Sequence, residues 1–466
     1  MNAPPSSTPA EHGSRNGRHL YRAVWRWHFY AGLLVAPLLL ILAITGSIYL
    51  FNDEIEDALH APLRFAPARQ ADLPPSRLIE AARAAYPGEV TRIDLPADPR
   101  RTAQVFVTPA SGEPLRVFVD PGSARVHGAF VYTHTLVGFA DTMHGSLMLG
   151  RFGDAIVELA ACWALLLIAT GAYLWWPRER GWGRALWPQW RERGRPFWRS
   201  LHSSVGAWTA ALIVFLILTG LPWANVWGDL LRAGTQQLGI GYPAEHRHHG
   251  PAPATPAVTV SQAIGEAPWT LRDAPMPASA HAHHHHDASA PRRDIGIDAA
   301  ARAFAARGLR GDYRLSLPRG EDGVYTAVVY PNQPQGQRTV HVDRYSGRIA
   351  GDTGFADYGW AAQAVELGVQ LHMGNYFGRA NQIVMLLPCI GIVVLTGSGV
   401  WMWWRRRPRG RLGAPGVIAP TRLRTIASIA LACGLLFPLL GASLLLVCAL
   451  DRWVIAKVPR WAAFVH

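Results

Sequence analysis

The chain has 466 residues, half of them hydrophobic, and carries a net charge of +13. The apolar residues are gathered into long runs, which excludes an ordinary soluble globular protein. The charge is massed in two short loops beside those runs: residues 177–201 hold seven arginines against Glu179 and Glu192, and residues 405–424 hold seven arginines and no acid. Such loops fix membrane topology and are retained in the cytoplasm, so the charge is no footprint of nucleic acid.

In chain order, residues 1–20 are rich in Pro, Ser, Gly and Asn and are expected to form a disordered cytoplasmic N-terminus. Residues 21–52 form the first membrane helix, with Trp25, Trp27 and Tyr30 suited to the interfacial belt. This run exceeds the apolar core of a signal peptide, about 7–15 residues, and no small-residue cleavage site closes it. It is expected to stay as an anchor. Residues 53–154 form an insert of α+β character, in which Ser76 is the expected N-cap of an Ala-rich helix ending at Ala85. Strands are expected at 90–95, 103–108, 115–119 and 124–127. Residues 155–177 are the second span, 178–201 an Arg-rich loop and 202–224 the third span.

The second insert, 225–382, repeats the first with padding. Asp298 is the expected cap of a helix over 299–307, followed by strands at 313–317, 324–330 and 338–342 and a turn at 345–347. Pro, Ala and His dominate 243–293, which is expected to be a flexible loop. Residues 383–404 are the fourth span, 405–424 the second Arg-rich loop and 425–450 a fifth span without counterpart in the repeat. Residues 451–466 follow as an outer tail, either frayed or lying along the bilayer surface. Each of the five runs reaches the roughly 20 residues that cross about 30 Å of hydrocarbon. By the positive-inside rule both inserts lie outside. Cys162, Cys389, Cys433 and Cys448 all sit in apolar runs, so no disulfide staples the inserts, and the absence of CxxCH excludes covalent c-type haem.

The two halves are duplicates. Thr45-Gly46 follows His28, and Thr219-Gly220 follows His202, at the same offset of seventeen residues. His144 and His372 each precede a Gly-Arg pair, Gly150-Arg151 and Gly378-Arg379, and then a Trp pair, Trp175-Trp176 and Trp403-Trp404, in matching register. One boundary histidine is ordinarily structural. Four that return in register are candidate ligands, because ionisable residues at membrane depth are costly and imidazole is the commonest metal ligand. No pair is spaced i, i+3 or i+4 for a compact zinc site, and no carboxylate recurs beside them. The separations suit a planar cofactor held between helices: two bis-His b-type haems, one between His28 and His202 near the cytoplasmic face and one between His144 and His372 near the outer face. Gly32 and Gly206, four residues after their histidines, are expected to leave room for a porphyrin edge. His144 and His372 stand eleven residues before their apolar runs, about 16 Å of straight helix. Either the helices protrude or Gly150 and Gly378 fold the chain back.

The sequence TGAYLWWPR at 170–178, the Leu-His openings at 201–202 and 371–372, and the inserts ending in DPGSARVHG and DRYSGRIAG resemble the PepSY-associated transmembrane helix family. The resemblance covers nearly the whole chain. It implies an α-helical protein of the bacterial inner membrane, with five transmembrane helices in a duplicated helix–PepSY–helix arrangement plus one extra C-terminal helix. Both small α+β inserts would be periplasmic PepSY-like domains. It also implies a di-haem core, with His28, His144, His202 and His372 as the family's boundary histidines, that reduces Fe(III) bound to a siderophore or other chelate.

No dinucleotide or P-loop motif is present, so electrons would come from a quinol, a cytoplasmic reductase or a small carrier. Competing readings are a haem-free scaffold whose PepSY-like domains bind peptides or regulate a protease, and a metal-binding or transport accessory working through His281, His283, His284, His285 and His286. His134, without counterpart in the repeat, is expected either to have a local role or to serve as an alternative outer ligand. Glu158, inside the second span, is expected to make an interhelical hydrogen bond or to move protons. The Trp pairs read as belt residues that could also assist electron movement.

Overall fold

Segments that are apolar on every side bury nothing in water, and with their backbone bonds satisfied internally they form membrane helices. The computed structural model describes residues 9–110, 112–177, 181–243, 258–279, 293–413 and 431–450, with side chains from residue 20 onward. Among these residues four helices are long and apolar enough to cross a membrane. They are α1 (Pro9–Tyr49, apolar from Leu20), α2 (Gly150–Trp175), α3 (Arg195–Gly220, its apolar span reaching Trp223) and α4 (Arg379–Arg406). The helix α1 begins at Pro9, so part of the stretch expected to be disordered is helical. Of the expected fifth span, residues 425–430 lie outside the described residues. The remainder breaks at Phe437 and resumes as a helix over Pro438–Leu450, thirteen residues against the roughly 20 needed to cross.

The chain divides into two units: residues 1–47, 142–230 and 383–466, and residues 48–141 with 231–382. The first holds the membrane helices. Its buried core includes Ala31 and Val35 of α1, Ala160, Cys162 and Trp163 of α2, and Leu440 and Leu444. The Trp163 indole donates to Ser443 Oγ at 3.1 Å. Glu158, 2 % exposed, accepts the backbone N–H groups of Val226 and Trp227 at 3.0 and 3.2 Å, while Asp154 accepts that of Asn225 at 2.9 Å. Two carboxylates thus close the N-terminus of the helix Asn225–Gln237, where a helix has unpaired donors and a positive end. Glu158 makes the interhelical bond that its place in the sequence suggests.

In the second unit the two inserts build one sheet. The strands are β1 (Glu89–Leu95), β2 (Ala103–Thr108), β3 (Leu115–Val119), β4 (Val126–Val131), β5 (Tyr313–Ser316), β6 (Val324–Val329), β7 (Arg338–Asp343) and β8 (Ile349–Gly354). Their order is β4-β3-β2-β1-β5-β6-β7-β8, and every neighbouring pair is antiparallel. The expectation of two separate small sheets is corrected: β1 and β5 pair edge to edge, with Ile93 opposite Leu315. Pairing the inner edges removes two exposed strand edges, which on isolated four-stranded sheets would invite aggregation. The helices Pro75–Ala85 and Ile297–Ala306 cover one face, and Leu78, Ile93, Val105, Val117, Phe304, Leu315, Ala327 and Val340 are fully buried between the layers.

Three local expectations also change. Neither Ser76 nor Asp298 caps its own helix. Instead Asp298 accepts from Ser76 N at 2.9 Å and Ser76 Oγ at 2.6 Å, tying the helix of one insert to the helix of the other. The strand β8 went unread, because the alternation in Ile349–Gly354 is diluted by two glycines. Part of the expected loop, residues 258–279, is ordered: Thr259 and Gln262 form a capping box, and Trp269 and Leu271 are buried beside Val328, Tyr358 and Ala362. A tryptophan and a leucine carry enough apolar surface to anchor a short segment within this Pro- and Ala-rich stretch.

Candidate functional site

The helices α1 and α3 each carry a histidine about two turns from the N-terminal end of the apolar span, His28 and His202. The structure brings these two together, their ring centroids 6.4 Å apart and their planes at 87°. Each ring is held through Nδ1 by a hydroxyl of the next membrane helix in sequence. His28 Nδ1 lies 2.9 Å from Thr170 Oγ1 on α2, and His202 Nδ1 lies 2.9 Å from Ser398 Oγ on α4.

His144 has the same kind of seat. Its Nδ1 lies 3.0 Å from Leu42 O and 3.2 Å from Thr45 Oγ1, both on α1. The expected choice between a protruding helix and a fold-back is settled for His144 in favour of the fold-back. It lies near the end of a helix over Leu136–Ser146, and the chain then reverses through Leu147, Met148 and Gly150, all at positive φ. Two non-glycine residues in that region mark a turn held under strain. Thr45 is four residues from the end of α1, so His144 sits beside the span rather than 16 Å above it. Along α1, His28 and Thr45 are seventeen residues apart, or about 26 Å. That is close to the roughly 30 Å of a hydrocarbon core, so the seats of His28 and His144 belong to opposite ends of the membrane helices.

A repeated device makes the seats. A Thr-Gly or Ser-Gly pair presents its hydroxyl to Nδ1, and the following glycine lets the ring approach. A Cβ added at Gly46 would meet His144 Cε1 at 3.0 Å, one at Gly171 would meet His28 Cε1 at 3.2 Å, and one at Gly399 would meet His202 Cε1 at 3.6 Å. The carbonyl three residues before each hydroxyl, of Leu42, Leu167 or Leu395, also lies against the ring. The Thr-Gly pairs are visible in the sequence as markers of the repeat, but their role as seats was missed. The signal was available in the spacing, since Thr170 follows His144 by twenty-six residues and Ser398 follows His372 by the same offset. Thr396-Gly397, two residues earlier, looks more like its counterparts and is not the pair used.

His372 closes the helix Trp360–His372 in the sheet-bearing unit. His134 is exposed and its Nε2 lies 3.0 Å from Glu113 Oε2, a surface pair rather than a buried ligand position. His281 and His283 to His286 lie outside the described residues. Gly32 and Gly206, expected to flank an opening, face Leu167 and Leu395 at ordinary contact distance. The indoles of Trp175 and Trp403 donate to Ala185 O and Leu412 O, each pinning the start of an Arg-rich loop. Among the described residues no three His, Cys, Asp or Glu side chains converge as a metal site. An iron already held by four porphyrin nitrogens asks for only two.

A family model described as the PepSY-associated TM region matches residues 25–406 of the chain. No curated protein matches it.

Proposed function

The chain belongs to the family of the PepSY-associated TM region, and on that premise we propose that it is a two-haem oxidoreductase. It would pass electrons from a quinol or a cytoplasmic donor across the bacterial inner membrane to a ferric chelate outside. The observation that carries this reading is the His28–His202 pair. With metal–imidazole bonds of about 2.0–2.1 Å on either side of one iron, two ring centroids stand roughly 6 Å apart. The 6.4 Å between the two rings, with both Nδ1 atoms anchored elsewhere, fits that demand.

His28 and His202 would hold the haem on the cytoplasmic side. For the second haem the proposal takes His144, whose seat on Thr45 and Leu42 repeats those of the inner histidines, and His372, its counterpart in the duplicated sequence. Haem b bound at these residues supplies a one-electron Fe(III)/Fe(II) couple. The chain's part is to fix four imidazoles, to surround them with helices that exclude water, and to present the sheet-bearing unit to the substrate on the periplasmic side. The two Arg-rich loops would stay in the cytoplasm. A chelated Fe(III) that gains one electron becomes Fe(II), which hard oxygen donors grip less tightly, so release of iron follows reduction.

The test is the visible spectrum of detergent-purified protein expressed with adequate haem. Soret and alpha bands of b-type haem, two per chain, are expected. A colourless protein that tolerates substitution at all four histidines would overturn the reading and favour a haem-free scaffold.

A further inference from the structure

We propose that Thr170 and Ser398 are positioning residues that fix the tautomer of His28 and His202, so that each Nε2 presents a lone pair to a metal; this rests on the haem reading above. The direction of each hydrogen bond decides the tautomer. A hydroxyl has one proton to give. Thr170 Oγ1 donates its proton to Leu166 O at 2.7 Å, and Ser398 Oγ donates its own to Val394 O at 2.6 Å. With the proton committed to its own helix, each hydroxyl can only accept from the histidine facing it. Nδ1 therefore carries the hydrogen in both rings, and Nε2 is left as the unprotonated nitrogen.

The third seat repeats the logic with an independent acceptor. Thr45 Oγ1 donates to Ile41 O at 2.7 Å, and the Leu42 carbonyl, which can never donate, lies 3.0 Å from His144 Nδ1. One rule covers all three: the hydroxyl spends its proton four residues back and orients a histidine from another segment. A metal-bound histidine whose other nitrogen donates in this way is fixed in orientation and is made a stronger electron donor to the metal. A stronger donor favours Fe(III) over Fe(II) and so lowers the potential of the couple.

Haem b is the probe, in the full-length protein. Thr170→Val keeps the shape and removes the hydroxyl acceptor while the Leu167 carbonyl stays, Ser398→Ala removes one oxygen, and Thr170→Ser restores the hydroxyl without the methyl group. Thr170→Val and Ser398→Ala are expected to weaken retention of one of the two haems on the order of 10- to 100-fold, measured by transfer to excess apomyoglobin. The midpoint potential of that haem should rise in a potentiometric titration, and Thr170→Ser should return both properties to wild type. Wild-type retention and potential in Thr170→Val and Ser398→Ala would overturn the proposal. A Thr170→Ser variant as impaired as Thr170→Val would do the same, since it would assign the effect to packing of the methyl group. Should Thr170→Val not yield a monodisperse protein, Ser398→Ala decides alone. Failure of the haem reading itself shows separately, as a wild-type protein without b-type haem bands.

Discussion

Gly46 of α1 stands so close to His144 that an added Cβ would meet His144 Cε1 at 3.0 Å. That spacing is tighter than ordinary van der Waals contact, and the neighbour is a ring tied to Leu42 and Thr45 on the same helix. A branched side chain cannot enter without breaking those bonds. Gly46→Val is therefore expected to displace His144 and to remove about one of the two haems, leaving the spectrum of the other. The haem-to-protein ratio of the purified variant checks this, and a ratio equal to wild type would mean that His144 is not a ligand.

His28 and His202 lie 6.4 Å apart and are proposed to serve one metal, so their losses should not add. His28→Ala, His202→Ala and the double variant should each retain about half the wild-type haem. A double variant that loses twice as much as either single variant would place the two residues at different haems and sink the inner pairing.

The link between Ser76 and Asp298 predicts a coupling within the sheet-bearing unit. Removing Asp298 leaves the Ser76 backbone N–H and hydroxyl without their acceptor at a partly buried site. Asp298→Ala is expected to destabilise by about 1–3 kcal/mol, and adding Ser76→Ala should cost little more. Denaturant unfolding of the two single variants and the double variant measures the coupling. Simple additivity would show that the contact contributes nothing beyond its separate partners.

Period and register were legible where one element explained the residues. The bounds of β2 and β3 match their alternation, with Val105, Val107 and Val117 inward, because one face alone decides the pattern. The repeat marked His28 and His202 as a pair, and the structure places them together. What could not be read was whatever depends on a partner far along the chain. The pairing of β1 with β5 joins residues more than 200 positions apart, and nothing in Arg92–Leu95 announces Tyr313–Ser316. Asp298 reads locally as a cap because an Asp just before an Ala-rich helical run often is one, and only the neighbouring helix redirects it. Ser398 was hidden by Thr396, since composition points to the threonine and only helical phase selects the serine.

Glu366 gives the sheet-bearing unit a predictable response to pH. It is fully buried on the helix Trp360–His372, where Oε1 accepts from Thr270 N and Oγ1 at 3.1 and 3.2 Å. Oε2 accepts from Tyr330 Oη and Gln337 Nε2, both at 3.1 Å. Burial pushes the carboxyl above its ordinary value, although Gln337, Thr270 and Tyr330 all favour the charged form. The folded state then binds a proton that the unfolded chain releases near pH 4.3. The contribution of Glu366 to stability is therefore largest in acid and falls as pH rises from the unfolded value through the folded one. Gln337 supplies the means to hold the neutral acid: among the described residues its Oε1 is buried without a partner, so turning the amide lets it accept from a protonated carboxyl. Glu366→Gln should consequently flatten the decline in stability with pH at little cost. Glu366→Ala, which strands three sets of donors, should cost about 1–3 kcal/mol or more at every pH. Thermal unfolding between pH 4 and 8 distinguishes them, and a Glu366→Gln protein that keeps the wild-type slope would assign the proton to another group.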